Sequence, residues 1–212
     1  MAVTETRVIV VADLGTVGDE RRWLETLREV GRAAQGRPVA LQLRAKGVDP
    51  AELSRLARAA REAVPPDVLF ILNGPAVLAR ELGFAGVHYP EQAIPERPDP
   101  AAAGLLRFAA VHSLEAAARA ERAGVDAVVF GPVFPPRSKA GEGVGLGALR
   151  AVAAACALPV FAIGGIDESN ARACLEAGAI GVAVVGAVML AADPAAALEE
   201  ICRRIQSAER AP

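Results

Sequence analysis

Cysteine is scarce in this 212-residue chain: Cys156, Cys174 and Cys202 stand far apart, each inside an apolar helical pattern. There is no CxxC pair and no histidine-bearing metal spacing, so the three read as small buried hydrophobes, not as a disulfide framework or a zinc site. An odd count suits a reducing, cytoplasmic setting. A basic stripe is also missing. With 23 Lys+Arg against 25 Asp+Glu, mixed along the chain, the net charge is −2, which excludes nucleic acid as the main partner. No apolar run reaches the roughly 18 residues of a membrane span; the longest, 179–192, holds two glycines. Met1 to Arg7 is too short and polar for a secretory h-region. The expectation is a soluble protein with no membrane partner. No linker or composition break divides residues 1–212, which therefore read as one domain.

Apolar residues make up 53% of the chain, enough for one large core. Short aliphatic runs alternate with longer Ala/Glu/Arg-rich amphipathic segments. Strands are expected over 8–12, 39–43, 68–72, 86–88, 107–111, 127–131, 160–163 and 182–185. Most are continuously apolar, as strands covered by helices on one face and a packed interior on the other must be. Helices are expected over 19–34, from Asp49-Pro50, over 113–124, over 167–177 and from Asp193-Pro194. The stretch 89–104, with five Pro or Gly, is expected to be a loop with at most one helical turn. Eight βα alternations predict an α/β fold, a single compact (β/α)8 TIM barrel. An open doubly wound sheet is the runner-up, but no GxGxxG opens the first helix.

In such a barrel the residues just past each strand carry function. Here they are Asp13, Arg44 with Lys46, Asn73, His88, His112, the stretch from Pro132 to Lys139, Gly164-Gly165 and Gly186. The glycines after strands seven and eight would let backbone amides approach a phosphate; tight turns are the competing explanation. Arg44, Lys46, Arg137 and Lys139 are candidates for anionic groups of a ligand or, alternatively, plain surface charge. The Gly/Pro-rich segment 132–147 is a candidate lid. His112, at the end of strand five, suits proton transfer near neutral pH, whereas His88, inside a short strand, reads as a hydrogen-bonded structural residue.

Several of these fragments, in this order, resemble the thiamine phosphate synthase/TenI family. They are Leu41-Gln-Leu-Arg-Ala-Lys46, Ile71-Leu-Asn73, Gly86-Val-His88, Val111-His-Ser-Leu-Glu115 and Phe130-Gly-Pro-Val-Phe134 with Lys139. Ala162-Ile-Gly-Gly-Ile166 and Gly181-Val-Ala-Val-Val-Gly186 complete the series. The likeness covers nearly the whole chain. It implies one of two activities. The synthases join a pyrimidine diphosphate to a thiazole phosphate, holding magnesium diphosphate with aspartates. One aspartate would follow Asn73, where this chain has Gly74; another would fall in 89–95, which has Glu91 as its one carboxylate. The serine usual two residues before the strand-five histidine is Ala110. These departures all touch the diphosphate–pyrimidine half of the site, while Gly164, Gly165 and Gly186 keep the phosphate half.

That pattern is similar to the TenI branch, the thiazole tautomerases, which aromatise a thiazole carboxylate phosphate and need no metal and no other cofactor. The resemblance then implies His112 as general acid/base and phosphate on Gly164, Gly165 and Gly186. Arg44, Lys46 and Lys139 would face the carboxylate, with Asn73 and Val185 completing the binding set around a small phosphorylated heterocycle. Two alternatives stand beside this reading: a synthase with rearranged metal ligands, Glu91 among them, and a non-catalytic phosphate-ligand sensor on the same barrel. The sequence leaves the oligomeric state open, a homo-oligomer included.

Overall fold

The aliphatic runs become eight strands: β1 (Val8–Asp13), β2 (Val39–Arg44), β3 (Leu69–Asn73), β4 (Gly86–Tyr89), β5 (Leu106–Val111), β6 (Ala127–Phe130), β7 (Val160–Ile163) and β8 (Gly181–Val184). The computed structural model describes residues 3–135 and 141–209. The strands pair in parallel and in chain order, and β8 returns to β1, closing the barrel. This is the (β/α)8 architecture expected from the sequence.

Residues alternate between two apolar layers, as a period of two requires. Ile9, Val11, Ala40, Leu69, Ile71, Phe108, Ala127, Val129, Phe161 and Ala183 fill the interior, with Val3 packed among them. The Phe108 and Phe161 rings meet at 6.3 Å between centroids, so the barrel is a packed core and not a pore. Between them, Val8, Val10, Leu41 and Leu43 face the helices. Trp23 is fully buried there, and its indole N–H donates to Ala12 O at 3.1 Å.

The helices are α1 (Leu14–Val17), α2 (Glu20–Ala34), α3 (Pro50–Ala63), α4 (Ala76–Glu81), α5 (Leu114–Arg122), α6 (Gly145–Ala155), α7 (Ala171–Glu176), α8 (Gly186–Met189) and α9 (Pro194–Glu209). Helices α2, α3 and α5 start where short polar side chains satisfy free N–H groups of the first turn. Asp19 accepts from Arg22 N, Asp49 from Glu52 N and Ser113 from Ala116 N.

Four helices carry no clear signal in the sequence. α1, α4 and α8 are too short for periodicity, and α6 starts among glycines. Because α6 begins at Gly145, the segment 132–147 is not loop throughout, and its central part lies outside the described residues. The seventh helix also starts later than expected. Asp167 does not cap it but folds a turn, its Oδ1 accepting from Ser169 N and Oγ, and α7 opens at Ala171. Between β4 and β5 there are two three-residue 3-10 turns, Glu91–Ala93 and Pro100–Ala102, instead of at most one turn. Four prolines there deny a longer helix its N–H donors.

Candidate active site

Continuing each strand's inward series by two residues past the apolar filling names the mouth. Val11 leads to Asp13, Ile71 to Asn73, Gly86 to His88, Phe161 to Ile163 and Ala183 to Val185. On β2 and β5 the series runs one step further, to Arg44 and His112. The β1–β4 side is therefore polar, while the β7–β8 side offers backbone and aliphatic groups.

On the polar side the charges are committed to each other. Arg44 Nη1 lies 2.5 Å from Asp13 Oδ1, and Thr16 Oγ1 donates to Asp13 Oδ2 at 2.7 Å. Arg44 thus ties β2 to β1, which qualifies its reading as a ligand-carboxylate contact. Lys46 is exposed two residues beyond the end of β2 and has no ion-pair partner among the described residues. Lys139 and Arg137 lie outside the described residues.

Asn73 Nδ2 lies 3.0 Å from His88 Nδ1. The amide donates, so this nitrogen holds a lone pair and the proton sits on Nε2, which is buried with no acceptor among the described residues. His88 is 5% exposed. Burial, and then the charge of Arg44, push its pKa down to about 3. His88 is a neutral, internal histidine, in keeping with a structural role.

His112 is different. It is exposed at the end of β5, and its Nδ1 bonds to the carbonyl oxygen of Gly131 past the end of β6. A carbonyl only accepts, so Nδ1 carries the proton and Nε2 of the neutral ring keeps a lone pair. The backbone N–H of His112 donates to Glu91 Oε2 at 2.8 Å. Glu91 also meets Arg119, whose guanidinium lies 3.5 Å from Oε1 and donates to the Glu91 carbonyl at 3.3 Å. Neither Gly131 nor this use of Glu91 was legible in the sequence, because a backbone carbonyl and a backbone N–H leave no residue-type signal.

At the other side, Gly164 (φ 104°) and Gly165 (φ 60°) occupy left-handed backbone. A Cβ on Gly164 would fall 2.5 Å from Pro132 Cα, and one on Gly165 2.5 Å from Pro135 O. Close packing on the β6 loop therefore requires glycine here whatever else these residues do. Phe134 N–H donates to Gly164 O at 3.0 Å and Asn170 Nδ2 to Gly165 O at 2.9 Å. The carbonyls are thus tied back. The amide N–H groups of Gly164, Gly165, Gly186 and Ala187 have no acceptor among the described residues. They are uncommitted donors at the ends of β7 and β8, next to Ile163 and Val185.

A magnesium diphosphate, as the family resemblance would imply, finds a poor donor set. Asp13 and Glu91 are both engaged, and a Cβ on Gly74 would already press on Leu53 and Leu72 at 3.3 Å. Among the described residues no group of three His, Cys, Asp or Glu is placed to hold a metal. Two of the cysteines are poor nucleophiles: burial pushes the Cys174 thiol up to about 12 and the Cys202 thiol to about 11. An open groove of about 410 Å³ lies at the opposite face, lined by Glu5, Arg37 and Asp67. Arg37 there is paired with Glu199, and that end of a parallel barrel serves stability more than chemistry.

The chain is a closed parallel (β/α)8 barrel with an exposed histidine, an arginine–aspartate pair and uncommitted amides at one mouth. A family model described as thiamine monophosphate synthase matches residues 15–188. The chain belongs to that family. Thiamine-phosphate synthase of Pyrococcus furiosus is 34% identical over 190 residues, covering 88% of this chain and 92% of the relative. That of Methanoculleus marisnigri is 39% identical over 182 residues, covering 84% and 86%. The solved structure of thiamine phosphate pyrophosphorylase from Pyrococcus furiosus superimposes with a TM-score of 0.79 at 31% identity, covering 97% of this chain and 98% of that one. These relatives carry the synthase name, not that of the tautomerase branch. Among the described residues no helix is long and apolar enough to cross a membrane.

Proposed function

We propose that this chain is a thiazole tautomerase, an isomerase that aromatises a thiazole carboxylate phosphate by proton transfer through His112. The observation that carries the reading is the His112 ring itself. Its Nδ1–H is spent on the Gly131 carbonyl, so Nε2 is the nitrogen left to take a proton from one substrate carbon and return it to another. No metal and no leaving group enters such an isomerisation. The uncommitted amides at Gly164, Gly165, Gly186 and Ala187 would take the phosphate, with the apolar edge formed by Val185 beside them. The substrate carboxylate would lie toward Lys46, since Arg44 already holds Asp13; Lys139, the other candidate, lies outside the described residues. Asn73 acts at one remove, through its bond to His88.

A second reading, thiamine phosphate synthase, has its own support. The relatives at 34% and 39% identity bear that name, and on names alone they favour it over the tautomerase. The residues of the mouth favour the tautomerase, because Gly74 and the stretch 89–95 supply no uncommitted carboxylate for a metal diphosphate.

Purified protein decides between them. Incubation with the unaromatised thiazole carboxylate phosphate is expected to give the aromatic tautomer. Incubation with the pyrimidine diphosphate, thiazole phosphate and Mg²⁺ is expected to release no pyrophosphate. The opposite pair of results establishes the synthase, and tight product binding without either reaction points to a sensor.

A further inference from the structure

β4 stops short of the strand beside it. Leu106 N–H on β5 donates to Ala85 O across an offset of 21 residues. Carried up the strand, the same offset brings His112 N–H opposite Glu91. A continuing ladder would place the Glu91 carbonyl there. Pro90 instead turns the chain aside, and that carbonyl accepts from Ile94 N and from Arg119. The vacant ladder position is filled by the Glu91 side chain, whose Oε2 accepts from His112 N–H at 2.8 Å. Arg119 holds the other carboxylate oxygen at 3.5 Å. His112 is thus clamped from both neighbouring strands, its backbone from the β4 side by a carboxylate and its ring from the β6 side by Gly131.

We propose that Glu91 is a positioning residue for His112, its carboxylate replacing the missing ladder carbonyl so that the ring presents Nε2 at one fixed place. The proposal rests on the His112 reading above and deepens it. Glu91 touches no reacting atom; it acts on where His112 stands. Glu91 is the one carboxylate of the segment 89–95. Its two oxygens are already committed to a backbone N–H and an arginine.

The test uses activity and a readout independent of it. Glu91→Ala is expected to lower kcat by about 10–100-fold with KM changed by no more than about twofold, since ground-state contacts are untouched. Glu91→Gln keeps an acceptor oxygen and should recover most of the rate; Glu91→Asp, one methylene shorter, should not. Nitrogen-15 spectra of the imidazoles report the tautomer directly. The chain has two histidines, so His112→Gln assigns both. Wild type and E91Q are expected to show His112 as a single Nδ1-protonated ring, and E91A a mixture. If E91A does not fold, E91D against E91Q makes the same comparison. An unchanged ring signature in E91A, or KM rising in step with the fall in kcat, overturns the proposal. If the wild type converts no tautomer yet E91A loses the signature, the positioning role stands and the chemistry assigned to His112 fails.

Discussion

Arg44 Nη1 and Asp13 Oδ1 stand 2.5 Å apart, joining the ends of β1 and β2 inside the barrel mouth. Asp13 is 7% exposed, so its carboxylate depends on Arg44 and Thr16 for compensation. Arg44→Met is expected to destabilise the fold by about 3 kcal/mol, because a buried charge is left unpaired. Asp13→Asn combined with Arg44→Met should cost less than the sum of the two single changes. Urea unfolding of the four proteins checks this. Strict additivity would show that the pair does not act as a unit.

His88 makes stability depend on pH. Its folded-state pKa of about 3 lies below the roughly 6.5 of an unfolded histidine, so the unfolded chain binds the extra proton between these values. The contribution is complete above about pH 6.5 and is lost as pH falls toward 3, at about 1.4 kcal/mol per unit. The loss of stability between pH 7 and pH 5 should therefore be about 2 kcal/mol smaller in His88→Gln than in wild type. Denaturant titrations at the two pH values measure it, and equal losses would refute it.

His112→Ala should lower tautomerisation by about 10²–10⁴-fold, the usual worth of a positioned acid/base. Binding of the aromatic product, measured by calorimetry, should persist, because the amides proposed to take the phosphate follow β7 and β8. Turnover near that of wild type would remove His112 from the chemistry.

The glycines at the two strand ends should separate. In Gly165→Ala the methyl meets Pro135 O at 2.5 Å and the backbone sits at φ 60°, so a loss of about 2 kcal/mol or more is expected on thermal or urea unfolding. A Cβ on Gly186 meets only Leu190 Cδ1, at 3.6 Å. Gly186→Ala should fold normally yet bind product about tenfold more weakly, a difference of about 1.4 kcal/mol. Unaltered affinity in Gly186→Ala would move the phosphate elsewhere.

The barrel was legible because aliphatic runs at eight places can be buried only as covered parallel strands, and each expected strand lies within one or two residues of its observed bounds. The places of His112 and the glycine pair were legible because each directly follows an expected strand, where this architecture gathers its ligand-facing residues. The short helices α1, α4 and α8 were not, since four to six residues are too few to display a helical period. The segment 132–147 misled because glycines at the start of α6 read as loop.

What the sequence determined by itself was a set of positions: eight strands and the residues that follow them. Commitments between those positions came only with tertiary structure. Arg44 is turned to Asp13, Asn73 to His88, the ring of His112 to Gly131 and its backbone to Glu91. Each of these contacts joins residues 15 to 31 apart in the chain, on neighbouring strands or the loops that follow them. The curvature and register of the closed sheet, not local propensity, decide which of them meet.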